Sequence, residues 1–129
     1  MKLTLPLPPG INRTYKVDTR RSSHAMYKDQ DAKDWEVEAG WEIKRQWRGK
    51  PFEGSVIVIL QFYYPNSLDI DAGIKIALDL LQKMCVYLND SQVEFMVVRK
   101  AKDPSKPRIE IEVGEYNFNG DIVKRILND

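Results

Sequence analysis

Residues 55–64 read SVIVILQFYY, almost continuously apolar and dense in β-branched and aromatic side chains. A run of this length and composition predicts a strand covered on both faces, hence one in the middle of a sheet. Pro65 and Asn66 end it. Beyond them, residues 70–88 are apolar nearly all round, including Ile74, Ala77, Leu78, Leu81, Met84 and Cys85, with Lys75, Asp79 and Gln82 sharing the one polar side. That spacing predicts a buried helix with a narrow wet stripe. Residues 93–100 and 107–113 follow as a pair of strands. The second alternates cleanly, with Ile109, Ile111 and Val113 inward and Glu110 and Glu112 outward. Their link, 101–106, is basic and contains a proline, and reads as a hairpin-type loop.

Working back from the central strand, Gly49, Lys50 and Pro51 close a helix predicted over 28–48. Trp35, Ala39, Ile43 and Trp47 recur every four residues as its apolar stripe, and Val37 and Trp41 fall on another side. A helix with two apolar faces packs between layers or meets a partner chain, and the Val37/Trp41 side is favoured as a dimer contact. Residues 2–7 alternate Leu3, Leu5 and Leu7 with polar neighbours, a half-buried strand that Pro6 confines to an edge or a strand end. Pro8, Pro9 and Gly10 turn the chain out of it. Residues 11–27 show no period. At the other end, 119–127 suit a short terminal helix, with Asp121 early and Lys124 and Arg125 late. The predicted fold is α+β, a small mixed sheet packed with helices in the order β-α-β-α-β-β-α, forming a single domain over 1–129.

Composition sets bounds on function. The 129 residues carry a net charge of +1, so affinity for nucleic acid must come from local patches. Residues 11–27 supply one, with Arg13, Lys16, Arg20 and Arg21 interleaved with Tyr15 and Tyr27; the segment around Lys100 and Lys102 supplies a second. A solvated loop would have the same look. One cysteine allows no intrachain disulfide, and the lone His24 has no second ligand at metal-binding spacing. No signal-peptide core or membrane-spanning run is visible, so a cytoplasmic protein is expected.

The chemistry-bearing residues gather around the second helix. Asp69 and Asp71 stand where the strand-to-helix connection falls, and residues two apart in extended backbone project to one side. Lys75 lies four residues past Asp71. Asp90 lies beyond the far end of a helix on the order of 25 Å long, so neighbouring strands or a second subunit would have to bring it near the other two. Clustered carboxylates without His or Cys suit a hard cation, Mg²⁺ or Mn²⁺, that polarises a phosphodiester and activates water. The same residues would also serve as a helix cap, a dipole partner and an Asn-Asp turn.

The pattern D-x-D-x-x-x-K, an apolar helix containing Asp79, then L-N-D-S-Q-V resembles the RusA family of Holliday-junction resolvases. The N-terminal P-L-P-P-G-I-N-R-T-Y resembles it too, and the likeness runs from about Leu3 to Val113. The resemblance implies a homodimeric, Mg²⁺-dependent endonuclease, bacterial or phage-encoded, that makes paired nicks in four-way DNA junctions. By motif position it implies Asp69, Asp71 and Asp90 as catalytic and metal-binding carboxylates, with Lys75 as the catalytic lysine. Three positions depart from the family pattern: Leu68 for a basic residue, Ala72 for Asn, and Asn89 for the first of two aspartates. The alternative implied by those departures is a DNA-binding relative without cleavage activity.

Overall fold

Strand β4, Val56–Tyr64, is the central member of a four-stranded sheet in a computed structural model of the chain, which describes residues 1–9, 15–17, 26–28, 30–67, 70–71, 73–116, 124 and 128. The sheet also contains β1 (Lys2–Leu5), β5 (Val93–Lys102) and β6 (Arg108–Glu115), in the order β1-β6-β4-β5. β5 runs parallel to β4, and β6 runs antiparallel to both β4 and β1, so the sheet is mixed. The predicted α+β class holds. β1 is an edge strand that stops at Leu5, just before Pro6, as a proline without a donor requires.

Two helices cover one face of the sheet. Helix α1, Gln30–Gln46, contributes Ala32, Trp35, Ala39 and Ile43; helix α2, Ile74–Lys83, contributes Ile76, Ala77, Leu80 and Leu81. They meet Val56, Val58, Leu60, Phe62 and Tyr64 of β4 together with alternate residues of β1 and β6. Each of the Val, Leu, Ile and Phe side chains among these contributes about 1.5–3 kcal/mol on removal from water. The other face of β4 is buried at Ile57 and Ile59 and opens at Gln61 and Tyr63. The double coverage expected of this strand therefore holds over its first half. Trp35 ties α1 to the N-terminal segment by donating Nε1–H to the Pro6 carbonyl at 2.8 Å. The buried Glu36 carboxylate pairs with Lys83 Nζ at 3.2 Å and joins the two helices.

Four expectations are corrected. The strands after α2 do not form a hairpin: β5 and β6 flank β4 on opposite edges, and their link crosses its end, where Asp103 N–H donates to the Tyr64 carbonyl at 2.7 Å. An apolar central strand has two edges to satisfy, and these two strands fill both. The segment 11–27 is not wholly irregular, since β2 (Tyr15–Val17) and β3 (Met26–Lys28) pair as an antiparallel ribbon. Helix α2 begins at Ile74 and ends at Lys83, well inside the predicted 70–88. Cys85, expected within that helix, is exposed with φ of 59° and closes it: Val86 N–H returns to the Leu81 carbonyl at 2.9 Å and Cys85 N–H to that of Gln82 at 3.0 Å. These are the two bonds of a Schellman finish. The terminal helix expected over 119–127 falls outside the described residues except at Lys124, which is helical.

Candidate active site and nucleic-acid interface

The unit β4-α2-β5 is a parallel crossover, and the carboxyl ends of its strands are where such folds hold ligands. Asp71 lies there, exposed in the turn after β4, and its carbonyl receives Ile74 N–H at 3.4 Å as α2 begins. Gly73, the residue before the helix, passes tightly between its neighbours. A Cβ placed on it would stand 2.9 Å from both the Phe62 ring and the Pro8 ring. The proline stretch thus braces the turn that carries Asp71.

Along α2 the wet stripe becomes a sequence of joined groups. Lys75 Nζ lies 3.4 Å from Asp79 Oδ2, the i,i+4 pairing its spacing predicts. Further along, Gln82 Oε1 accepts Asp90 N–H at 2.9 Å. The chain reaches this position by folding back after Cys85. Tyr87 lies buried against the helix and its hydroxyl donates to the Leu78 carbonyl at 2.7 Å. Burial raises the Tyr87 pKa first, and the negative charges of Asp90 and Asp79 raise it further. Both carboxylates therefore act on one buried phenol, and Asp90 is tied to the helix within the same chain.

Asn89 and Gln92 fix the turn that presents Asp90. Asn89 Oδ1 accepts Ser91 N–H at 2.9 Å, and Gln92 Oε1 accepts the N–H groups of Leu88 and Asn89 at 2.8 and 2.9 Å. The result is a capping box on the 3₁₀ turn Asp90–Gln92. Asn89 thus has a structural task where a second aspartate was expected by the family pattern.

The structure brings together Lys75 with Asp79, while Asp79 and Asp90 each act electrostatically on Tyr87. It sets Asp71 apart, at the opposite end of α2 and beside Tyr64, whose pKa is raised by burial and then by the Asp71 charge. Asp69, Leu68 and Ala72 lie outside the described residues. Among the described residues no three carboxylate, histidine or cysteine side chains converge as a metal cluster. Asp71 and Asp90 offer carboxylate oxygens of the kind Mg²⁺ and Mn²⁺ favour, but they lie at opposite ends of α2 within this chain.

Of the candidate DNA-contacting residues, Lys100 and Lys102 are exposed on β5, in register with Phe62 and Tyr64 and so on the helix-covered side of the sheet. Lys16 lies on β2 opposite Tyr27. Arg13, Arg20 and Arg21 lie outside the described residues. Arg108, close in sequence to the basic link, is occupied structurally: it bonds Asp103 at 3.0 Å and Glu110 at 3.3 Å and lies 3.8 Å from the Tyr63 ring centre. Hydrogen bonds from Ser105 and Arg108 hold the Asp103 carboxyl below its usual pKa.

Sequence reading missed Asp79 as a site residue, although its i,i+4 spacing from Lys75 was the available signal. Tyr64 and Tyr87 gave no signal, because their proximity to Asp71 and Asp90 is created by tertiary packing.

Comparison with protein-family models gives the class first: the matching model is that of an endodeoxyribonuclease. That model, described as Endodeoxyribonuclease RusA, matches residues 6–114, and the chain belongs to this family of Holliday-junction-resolving endonucleases. The match spans Asp69, Asp71, Lys75, Asp79, Asp90, Lys100 and Lys102 and ends within β6. Comparison with curated proteins gives no match. Among the described residues no helix is long and apolar enough to cross a membrane.

Proposed function

We propose that the protein is a cytoplasmic, homodimeric endonuclease that resolves four-way DNA junctions by paired, Mg²⁺-dependent nicks. The observation that carries the reading is the arrangement along α2, with Asp71 at its head, the Lys75–Asp79 pair on its side and Asp90 bonded to Gln82 near its foot. Asp69 and Asp71 are assigned to hold Mg²⁺, with Mn²⁺ as a substitute. Because Asp90 lies at the opposite end of α2 in the same chain, the third carboxylate is assigned to the second subunit's copy of Asp90. The ion when bound would supply polarisation of the phosphodiester and a reactive water. Lys75 balances the negative charge of the phosphoryl oxygens, and Asp79 holds its ammonium in place. Lys100 and Lys102, with Arg13, Lys16, Arg20 and Arg21, contact phosphates and position the DNA without reading its sequence. Junction shape then supplies selectivity.

A two-fold junction calls for two equivalent sites. Val37 and Trp41 are 64% and 67% exposed on α1, beside Met84 and Lys83 of the α2 end, and this apolar face is assigned to the dimer contact.

The test is cleavage and binding of a synthetic four-way junction. Asp69→Asn and Asp90→Asn are each expected to lower cleavage by about 10²-fold or more, the loss typical of a single electrostatic stabiliser, while binding persists. Wild-type protein that binds junctions and never cuts them with Mg²⁺ or Mn²⁺ would overturn the enzymatic reading. Equal affinity for junction and linear duplex at matched salt would overturn the shape selectivity.

A further inference from the structure

Tyr64 ends β4 with a side chain only 3% exposed, and its hydroxyl is buried without a hydrogen-bond partner among the described residues. Native proteins rarely leave such a group unpaired, and an exception calls for an explanation, a bound ion among them. Tyr64 lines a cleft of about 200 Å³ with Asn66, Ser67, Lys100, Ala101 and Lys102. The parallel register puts Lys102 beside Tyr64 and Lys100 beside Phe62, so both ammonium groups belong to the side of the sheet that carries the phenol. The cleft lies at the carboxyl ends of the parallel pair, the ligand-holding end of such a crossover.

The lining selects an anion. A tyrosine phenol is protonated at neutral pH, so it acts as a donor. Two lysines supply positive charge, and the Asn66 amide and Ser67 hydroxyl add further donors. The Tyr64 ring is held by stacking on Phe62, with centroids 5.6 Å apart and planes 9° from parallel, so its hydroxyl is a fixed point.

We infer that this cleft is a phosphate subsite, in which the Tyr64 hydroxyl donates to a non-bridging oxygen of a DNA phosphodiester while Lys100 and Lys102 balance its charge. The inference rests on the proposed nuclease reading and adds a residue to it. Tyr64 is a binding residue that fixes where the strand lies relative to Asp71; the lysines draw the strand in.

The experiment measures binding of a four-way junction across a salt series without divalent cation, for wild type, Tyr64→Phe and the Lys100→Ala/Lys102→Ala double variant, with thermal melting of each free protein. Tyr64→Phe is expected to melt no lower than wild type, since the hydroxyl it removes has no partner among the described residues. It should bind about tenfold more weakly, the scale of a hydrogen bond to a charged group. That loss should be the same at every salt concentration, because a neutral donor releases no counterion. The double lysine variant should instead flatten the slope of log affinity against log salt, by about 0.9 for each phosphate it no longer neutralises. Unchanged affinity in Tyr64→Phe overturns the subsite, and so does a melting point several degrees below wild type. Wild type that binds but never cuts in the cleavage assay sinks the nuclease reading while the Tyr64→Phe comparison still decides the subsite. Wild type that binds no DNA overturns both.

Discussion

Gly73 shows how little room the candidate site leaves for change. A methyl group there would meet the Phe62 and Pro8 rings at 2.9 Å, and neither ring is the free end of a flexible chain. Gly73→Ala is expected to cost about 1–3 kcal/mol, the range for overpacking a filled site, measurable as a lower denaturation midpoint. Trimming the opposing ring in Gly73→Ala/Pro8→Ala should recover part of the loss. Tyr87 gives a second test, in pH. Its folded-state pKa lies above the unfolded value of about 10, so its contribution to stability is complete below that value and drains away as pH rises through the folded one. Stability followed by urea titration should therefore fall above about pH 10. Tyr87→Phe, about 1 kcal/mol less stable at neutral pH for loss of the bond to Leu78, should show a shallower alkaline fall.

Among the elements, α2 shows what could be read in advance and what could not. Its buried and wet sides were legible from periodicity; the Lys75–Asp79 contact was missed although i,i+4 spacing, a local property of helices, was there to signal it. Its end was not legible, because Met84, Cys85, Tyr87 and Leu88 continue the apolar pattern while the backbone turns back. A left-handed residue that is not glycine leaves no mark in composition. Cys85→Gly should accordingly stabilise the protein by about 1 kcal/mol, the penalty of a side chain in the left-handed region, read as a raised melting temperature. The positions of β5 and β6 were hidden for a related reason: a short link suggests a hairpin, and only the need of β4 for two neighbours separates them. The ribbon of β2 and β3, three residues a side, is too short for alternation to register. In the site itself, the carboxylates and the lysine were singled out by the family pattern, since their type and spacing alone suited a helix cap and a turn equally well. The phenols that share their surroundings were not, since tyrosines in apolar runs look like core.

For the whole molecule, the α1 face carrying Val37 and Trp41 is the part assigned to self-association. Trp41→Glu alters an exposed position, so the melting temperature should stay close to that of wild type. Sedimentation should shift from dimer to monomer, and junction cleavage should yield uncoupled single nicks in place of paired ones. A variant that remains dimeric would move the contact elsewhere on the surface. The topology also governs how the molecule assembles. Among the described residues β1 pairs only with β6, Leu3 opposite Ile111, and β4 must gain β5 and β6 on its two edges from sequence that follows it. No two strands of this sheet that are consecutive among its members along the chain and joined by a tight turn pair with each other. Each ladder closes a long loop before any hydrogen bond rewards it, so folding belongs to the slow, high-contact-order regime. On the ribosome, β1 emerges well before its partner and waits unpaired until β6 has been made.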